Sequence, residues 1–143
     1  MLEIDWGEYI AGIEELAGRL KNKNISADAI VAINRGGLLI GLIFSHQLNL
    51  PLHIIHPGKH FDLHRHKKIL LVDDISDTGN TFLKMIEQLK ENNPTLDVVG
   101  DIYSVSLHIK PHTKYVPNLY HKEVDEWVKY PYEVDIYKRE SEK

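Results

Sequence analysis

Cysteine is absent from the 143 residues. That excludes disulfides, thiolate nucleophiles and thiolate zinc sites together, and it fits a reducing compartment. A basic surplus is missing as well. The formal net charge is −4, opposite in sign to the footprint that a phosphate backbone demands, so nucleic acid is not expected as a partner. No apolar run approaches the roughly 20 residues that cross a bilayer. The start, Met1 to Trp6, is acidic and amphipathic rather than basic and then apolar like a secretory signal. A membrane partner is therefore not expected, and the cytoplasm is the expected compartment. No internal repeat, low-complexity tract or linker interrupts the chain, so residues 1–143 are expected to form one domain around a single apolar core. What is present, 43% hydrophobic and 27% charged residues, is the mixture of a soluble globular protein rather than a disordered one.

Periodicity gives the order of elements. Trp6, Tyr9, Ile10, Ile13, Leu16, Ala17 and Leu20 recur at three- and four-residue spacing, which predicts an amphipathic helix with Asp5 as its cap. Ala29 to Ile33 reads as a short apolar strand. Asn34-Arg35-Gly36-Gly37 breaks it, and Leu38 to Leu48 reads as a second helix. Leu52 to Ile55 is the next strand, and a polar, histidine-rich loop leads from it to Lys68 and a third strand, Ile69 to Val72. Phe82, Met85, Ile86 and Leu89 form the inner face of a third helix that stops by Pro94. Val98 to Leu107 alternates like a long strand, with Lys110-Pro111 just past its end. Tyr115 to Tyr137 holds one or two short strands. Alternation of this kind predicts an α/β fold, a mostly parallel sheet with helices on both faces. Ligands of such sheets bind beyond the carboxyl ends of the strands. The two glycine-bearing turns, 34–37 and 75–81, both follow strand ends, so one rim can offer both to one ligand.

The most informative segment runs from Lys68 to Thr81. An apolar strand enters two adjacent acids, Asp73 and Asp74. A turn of small residues follows, Ser76-Asp77-Thr78-Gly79-Asn80-Thr81, and a helix opens at Phe82. Backbone N–H groups of the turn and the positive pole of the helix suit a phosphate. The paired carboxylates suit sugar hydroxyls, or a magnesium ion with its waters. The segment reads as a binding site for a sugar phosphate.

Val72-Asp73-Asp74-Ile75-Ser76-Asp77-Thr78-Gly79-Asn80-Thr81 resembles the phosphoribosyl-pyrophosphate (PRPP) signature of type I phosphoribosyltransferases. Asn34 to Gly37 resembles that family's pyrophosphate loop. Lys110-Pro111, Tyr120 and Asp125 to Glu133 are similar to the base-binding region of the bacterial xanthine–guanine and hypoxanthine enzymes. The resemblance implies a Rossmann-like sheet with a small C-terminal base-binding hood. It also implies purine salvage: a purine displaces pyrophosphate from C1 of PRPP, giving a nucleoside 5′-monophosphate. By the resemblance, residues Asp77, Thr78, Gly79, Asn80 and Thr81 hold the 5′-phosphate. Asp73 and Asp74 take the 2′- and 3′-hydroxyls and orient Mg2+, and Arg35 with the Gly36 amide holds the pyrophosphate. Asp77 accepts the proton lost from purine N7. Lys110 donates to a 6-oxo group, Trp127 stacks on the base and the Val128 carbonyl reads its 2-position. A homo-oligomer, dimer or tetramer, is implied too.

Departures and competing readings stand beside this. His56 to Lys67 is short where many relatives carry a longer mobile flap, and Pro131-Tyr132 stands where a proline–tryptophan pair is common. Lys110 reads equally as a surface lysine, and Trp127 as a core or interface aromatic. Tyr130 and Tyr132 read as packing residues. His53, His56, His60, His64 and His66 cluster, with His60 and His64 at helical spacing. No His-Glu-x-x-His pattern accompanies them, so a polar loop with a pyrophosphate-facing role is expected rather than a transition-metal site. A ligand-sensing regulator with the same fold, and a transferase for adenine or orotate, are the competing functions. Lys110 argues against adenine, because an ammonium donor matches a carbonyl oxygen and clashes with an exocyclic amine.

Overall fold

The computed structural model describes residues 1–63 and 66–134. His64 of the histidine cluster, and the part of the tail beyond Val134, lie outside them. Five strands form the main sheet: β2 (Ala29–Ile33), β3 (Leu52–Ile55), β4 (Ile69–Ser76), β5 (Ile102–Ile109) and β6 (Leu119–Glu123). Their order across the sheet is β3-β2-β4-β5-β6. Every pairing in it is parallel, so "mostly parallel" becomes wholly parallel among the described residues. β1 (Leu2–Glu3) and β7 (Val128–Lys129) make a separate two-stranded parallel sheet. No helix among the described residues is long and apolar enough to cross a membrane.

Alternation along the strands sends successive side chains to opposite faces, and each face has its own core. Ile30, Leu70, Val72, Val105 and Leu107 meet α1 (Trp6–Asn22) and α2 (Leu38–Leu48) through Tyr9, Ile13, Leu16, Ile40 and Phe44. Val31, Ile33, Ile69, Leu71 and Ile102 meet α3 (Asn80–Asn92) through Phe82, Met85, Ile86 and Leu89. This is the helix–sheet–helix arrangement that the strand–helix alternation predicts. Strand β2 is buried along its whole length, as a central parallel strand covered on both sides must be. Truncating a residue such as Leu71, fully buried beneath α3, to alanine is expected to cost about 2–5 kcal/mol.

Several boundaries differ from the sequence reading. β4 does not stop at Val72; it runs to Ser76, because β5 continues beside it and pairs Asp73 with Ser106, Ile75 with His108 and Ser76 with Ile109. The two acids therefore sit on a rigid strand. α3 opens at Asn80, not Phe82. Val98 to Asp101 is a short helix, α4, and only Ile102 onward is strand. The reason is local: Asp97 accepts from Val99 N at 3.2 Å and its own N–H donates to Asp101 at 2.8 Å. That reciprocal cap favours helix over the alternating pattern.

The chain leaves β2 toward β3 on one side and re-enters the sheet at β4 on the other. The loops after β2 and β4 therefore diverge, and the crevice between them is where an open parallel sheet binds its ligand.

Candidate active site

That crevice is a cleft of about 910 Å³. Arg35, Gly36, Asp73, Asp74 and Thr81 line it, together with Pro57 from the loop after β3 and Tyr132, Glu133 and Val134 from beyond β7. The 34–37 turn lies against β4, and Thr81 of the 75–81 turn lines the same cleft. A Cβ on Gly36 would collide with the Asp74 carboxyl, and one on Gly37 with the Val72 carbonyl. Glycine at 36 and 37 is what lets this loop lie against β4 at Val72 and Asp74. The Asn34–Arg35 peptide is cis.

The helices that start at the cleft differ from those that start elsewhere. α1 is capped by Asp5, which accepts from Glu8 N at 2.8 Å, and α4 by Asp97. α2 and α3 begin at Gly37 and Gly79, with no side-chain cap and no acid in the first turn. Leu38 N donates to Arg35 O at 3.1 Å and Asn80 N to Thr78 Oγ1 at 3.2 Å, and with no acid in either first turn and the helix dipole behind them, the two helix starts suit an anion. Gly79 is obligatory for a further reason. Its φ is 90° and a Cβ would lie 2.6 Å from Tyr115 N.

Residues 110–115 brace this turn, a contact that the sequence did not announce. Lys114 N donates to Thr78 O at 2.9 Å, and Lys110 N to Ser76 O at 3.0 Å. Ser76 Oγ bonds Thr113 Oγ1 at 2.9 Å and Tyr115 O at 2.7 Å, and the Tyr115 ring stacks on Phe82. His112 Nε2 lies 2.8 Å from Asp77 Oδ1, so Asp77 has an orienting partner that no local motif announced.

The acids are set more firmly still. Asp74 N donates to Asp73 Oδ1 at 2.9 Å. Burial, and then the neighbouring Asp74 carboxylate, hold Asp73 well above the usual carboxylate range. Burial raises Asp74 too, opposed by the hydrogen bond that the Tyr132 hydroxyl donates to its Oδ2. Burial and the Asp74 charge in turn keep the Tyr132 phenol protonated. Behind them, Tyr130 donates to Asp74 O at 3.2 Å and bonds His108 Nδ1 at 2.8 Å. Tyr130 has one proton to give. Its bond to Asp74 therefore makes His108 the donor through Nδ1, a tautomer assigned from the network. His108 is neutral there, because burial, helped by His121 and Lys122, lowers it to about 4.

Tyr130 is the packing residue the sequence suggests, but Tyr132 is more than that, since it faces the cleft and touches its acid. The signal for it was the departure at Pro131-Tyr132. At the hood, Lys110 is buried to 7% exposure and lies just beyond the carboxyl end of β5. Trp127 is 69% exposed and stands outside the residues that line the cleft. Leu2 N donates to the Trp127 carbonyl at 2.8 Å, and Val128 pairs with Leu2. Past Pro57, the described part of the loop after β3 is tied to α3. Gly58 N, Phe61 N and Leu63 N donate to Gln88, Asn92 and Asn93 at 2.9, 2.9 and 3.1 Å. His56 Nδ1 meets Asn34 at 3.0 Å, and His53 meets His66 at 2.9 Å. Among the described residues no group of three or more His, Asp or Glu is arranged to hold a metal ion.

Comparison with known proteins adds independent findings. Residues 56–139, more than half of the chain, match the family described as phosphoribosyl transferase domain. A xanthine-guanine phosphoribosyltransferase from Chromohalobacter salexigens is 27% identical over 148 residues, spanning 93% of this chain and 84% of that protein. A transcriptional regulator, GfcR from Methanocaldococcus jannaschii, is 30% identical over 108 residues, 64% of this chain. The chain spans only half the length of that regulator. Among solved structures, a purine phosphoribosyltransferase from Pyrococcus horikoshii superimposes with a TM-score of 0.79 at 29% identity, covering 93% of this chain and 94% of that one. A xanthine-guanine-hypoxanthine phosphoribosyltransferase from Helicobacter pylori shares the fold, with a TM-score of 0.81 at 24% identity and 98% coverage of both chains.

Proposed function

This chain belongs to the phosphoribosyl transferase domain family, and on that premise we propose that it is a purine phosphoribosyltransferase acting on guanine, xanthine or hypoxanthine. The observation that supports this reading above all is the meeting of the 34–37 loop with the Asp73–Asp74 pair at one cleft. In the reaction the bond from ribose C1 to pyrophosphate breaks, a bond from C1 to a purine nitrogen forms, and the purine gives up one proton. Charge builds on the sugar and on the departing pyrophosphate, so placement and electrostatics carry most of the work.

Each part has a residue. The leading N–H groups of α3, with Thr78, Gly79, Asn80 and Thr81, hold the 5′-phosphate. Arg35 and the Gly36 amide hold the pyrophosphate, and Asp73 and Asp74 accept from the ribose hydroxyls. Asp77 takes the proton, with His112 orienting its carboxylate. Two carboxylates side by side at the cleft are a hard-oxygen donor set that fits magnesium, and Asp73 and Asp74 are the residues that would hold it. When bound, the ion supplies neutralisation of the pyrophosphate charge. Lys110 donates to the 6-oxo group of the base. Its buried stem, and an ammonium with no hydrogen bond or ion pair among the described residues, support that role. The protein mixed with PRPP, magnesium and each of the three bases should yield monophosphate and pyrophosphate. Absence of product with all three would sink the proposal.

The similarity to a transcriptional regulator favours a second reading, a sensor that binds PRPP or a nucleotide without reacting it. Tight PRPP binding without turnover on any purine selects it, and measurable transfer dismisses it. If adenine is used in preference to guanine, the Lys110 assignment fails while the reaction class stands.

A further inference from the structure

We propose that Tyr132 is a positioning residue for the ribose: its hydroxyl fixes one oxygen of Asp74 so that the carboxylate is presented to the sugar hydroxyls. The proposal rests on the phosphoribosyl reading above.

A terminal carboxyl torsion is soft, so an aspartate at a cleft needs partners to hold it in one orientation. Asp74 has them on each side. Its carboxyl packs over Gly36, its backbone N–H is tied to Asp73, its carbonyl takes the Tyr130 hydroxyl, and the Tyr132 hydroxyl donates to Oδ2. Tyr132 is the member of this set that comes from the far end of the chain, 58 residues away, and that lines the cleft itself.

The phenol is delivered pre-oriented. Its ring lies parallel to that of Tyr130, with centroids 5.8 Å apart, and meets the edge of Tyr9 at 6.0 Å. The turn that carries it is closed by Glu133 N to Tyr130 O and Val134 N to Tyr132 O, both 3.0 Å, and by Tyr130 N to Glu133 Oε2 at 2.8 Å. A side chain locked by packing loses little further freedom when the ligand arrives. A phenol that donates to Asp74 also keeps its lone pairs for a sugar hydroxyl. The indole of a tryptophan at this position would offer a donor only.

The test is calorimetric titration of wild type and Tyr132→Phe with ribose 5-phosphate and with 2-deoxyribose 5-phosphate, each with magnesium. Phenylalanine keeps the ring stack and removes only the hydroxyl. Wild type should prefer the ribose compound by about tenfold, the size of one hydrogen bond to a charged group. In the variant the preference should shrink to about twofold, while metal-free pyrophosphate, assigned above to Arg35 and the Gly36 amide, binds as in wild type, and KM for PRPP should rise by more than kcat falls. An undiminished ribose preference in the variant would overturn the proposal. So would a wild type that binds PRPP without any such preference. Parallel loss of pyrophosphate binding would assign Tyr132 to packing and overturn it equally. A wild type that neither binds nor turns over PRPP would instead remove the phosphoribosyl reading itself.

Discussion

The two ends of the cleft are built by different means. The turn end, loop 34–37 and residues 73–81, consists of main-chain donors, glycines and short polar side chains that are neighbours in sequence. The hood end brings Lys110 together with the stretch Val128 to Tyr132, whose tyrosines meet Tyr9 of α1 ring to ring and reach Asp74 by hydrogen bonds. The first end suits groups common to every PRPP-using reaction, phosphate and sugar. The second offers shape, which suits the base-reading role proposed for it. Chemistry should therefore fail when the turn end is altered, and affinity or stability when the hood end is altered.

The sharpest way to break this division is Asp77→Asn. The amide keeps the size of the side chain and can still meet His112, but it cannot take a proton. Turnover should fall by about 10²–10⁴, the usual worth of a positioned general base, with PRPP affinity near that of wild type. Single-turnover kinetics beside calorimetry separates the two quantities. A variant that keeps near-normal turnover would move proton acceptance elsewhere and erase the contrast between the ends.

A hood-end counterpart is His108. Its value of about 4 lies below the ordinary 6.5, so between those limits the unfolded chain binds a proton that the folded chain refuses. Stability therefore rises with pH through this window and falls as acid is added. The effect amounts to as much as about 3 kcal/mol for a shift of this size. His108→Gln keeps a donor for Tyr130 and removes the titration. Urea unfolding at pH 7 and near pH 4.5 should show wild type losing more stability than the variant. Parallel losses would show that His108 accepts its proton in the folded state. Here the hood end registers in stability, not in chemistry.

The difference between the ends also explains what could be read from the chain beforehand. The turn end was legible because glycine, acid and threonine at fixed spacing mark a strand end that turns into a helix without any distant partner. Arg35, Gly36, Asp73, Asp74 and Thr81 all reach the cleft. The sheet was legible because continuous apolar runs such as Ala29 to Ile33 are what a buried parallel strand requires. β1 was not, since two residues that pair with Val128 and Lys129 carry no periodicity. Nor was α4, where two aspartates decide a four-residue segment. The roles of His112 and Tyr132 depend on partners 35 and 58 residues away, and no local spacing encodes such a distance.

Gly36→Ala probes the turn end at its main chain. The added methyl has nowhere to go but into the Asp74 carboxyl. Accommodating it should cost about 1–3 kcal/mol, as overpacking does, shared between fold stability and PRPP affinity. Melting temperature and PRPP titration together read that division. Binding of the purine nucleobase alone should change least, because the base site proposed above lies at the other end. A variant equally weakened toward base and PRPP would mean that the two ends are one rigid unit.

The smallest expected effect tests the hood directly. Trp127 is largely exposed and outside the cleft lining, with its carbonyl held by Leu2 N. A stacking role therefore requires the base to be held at the outer edge of the hood, beyond Tyr132. If it is, Trp127→Ala should raise the base KM by about tenfold, within the range of one aromatic–base stack, and leave the PRPP KM alone. The chain has two tryptophans, and the other, Trp6, sits on α1 against Tyr9. Quenching of indole fluorescence by guanine in wild type should vanish in the variant while the Trp6 emission persists. An unchanged base KM, with quenching retained, would take the base away from Trp127 and leave Tyr132 and Val134, which do line the cleft, as the surface it meets. The hood would then lie closer to the acids than its sequence pattern implies.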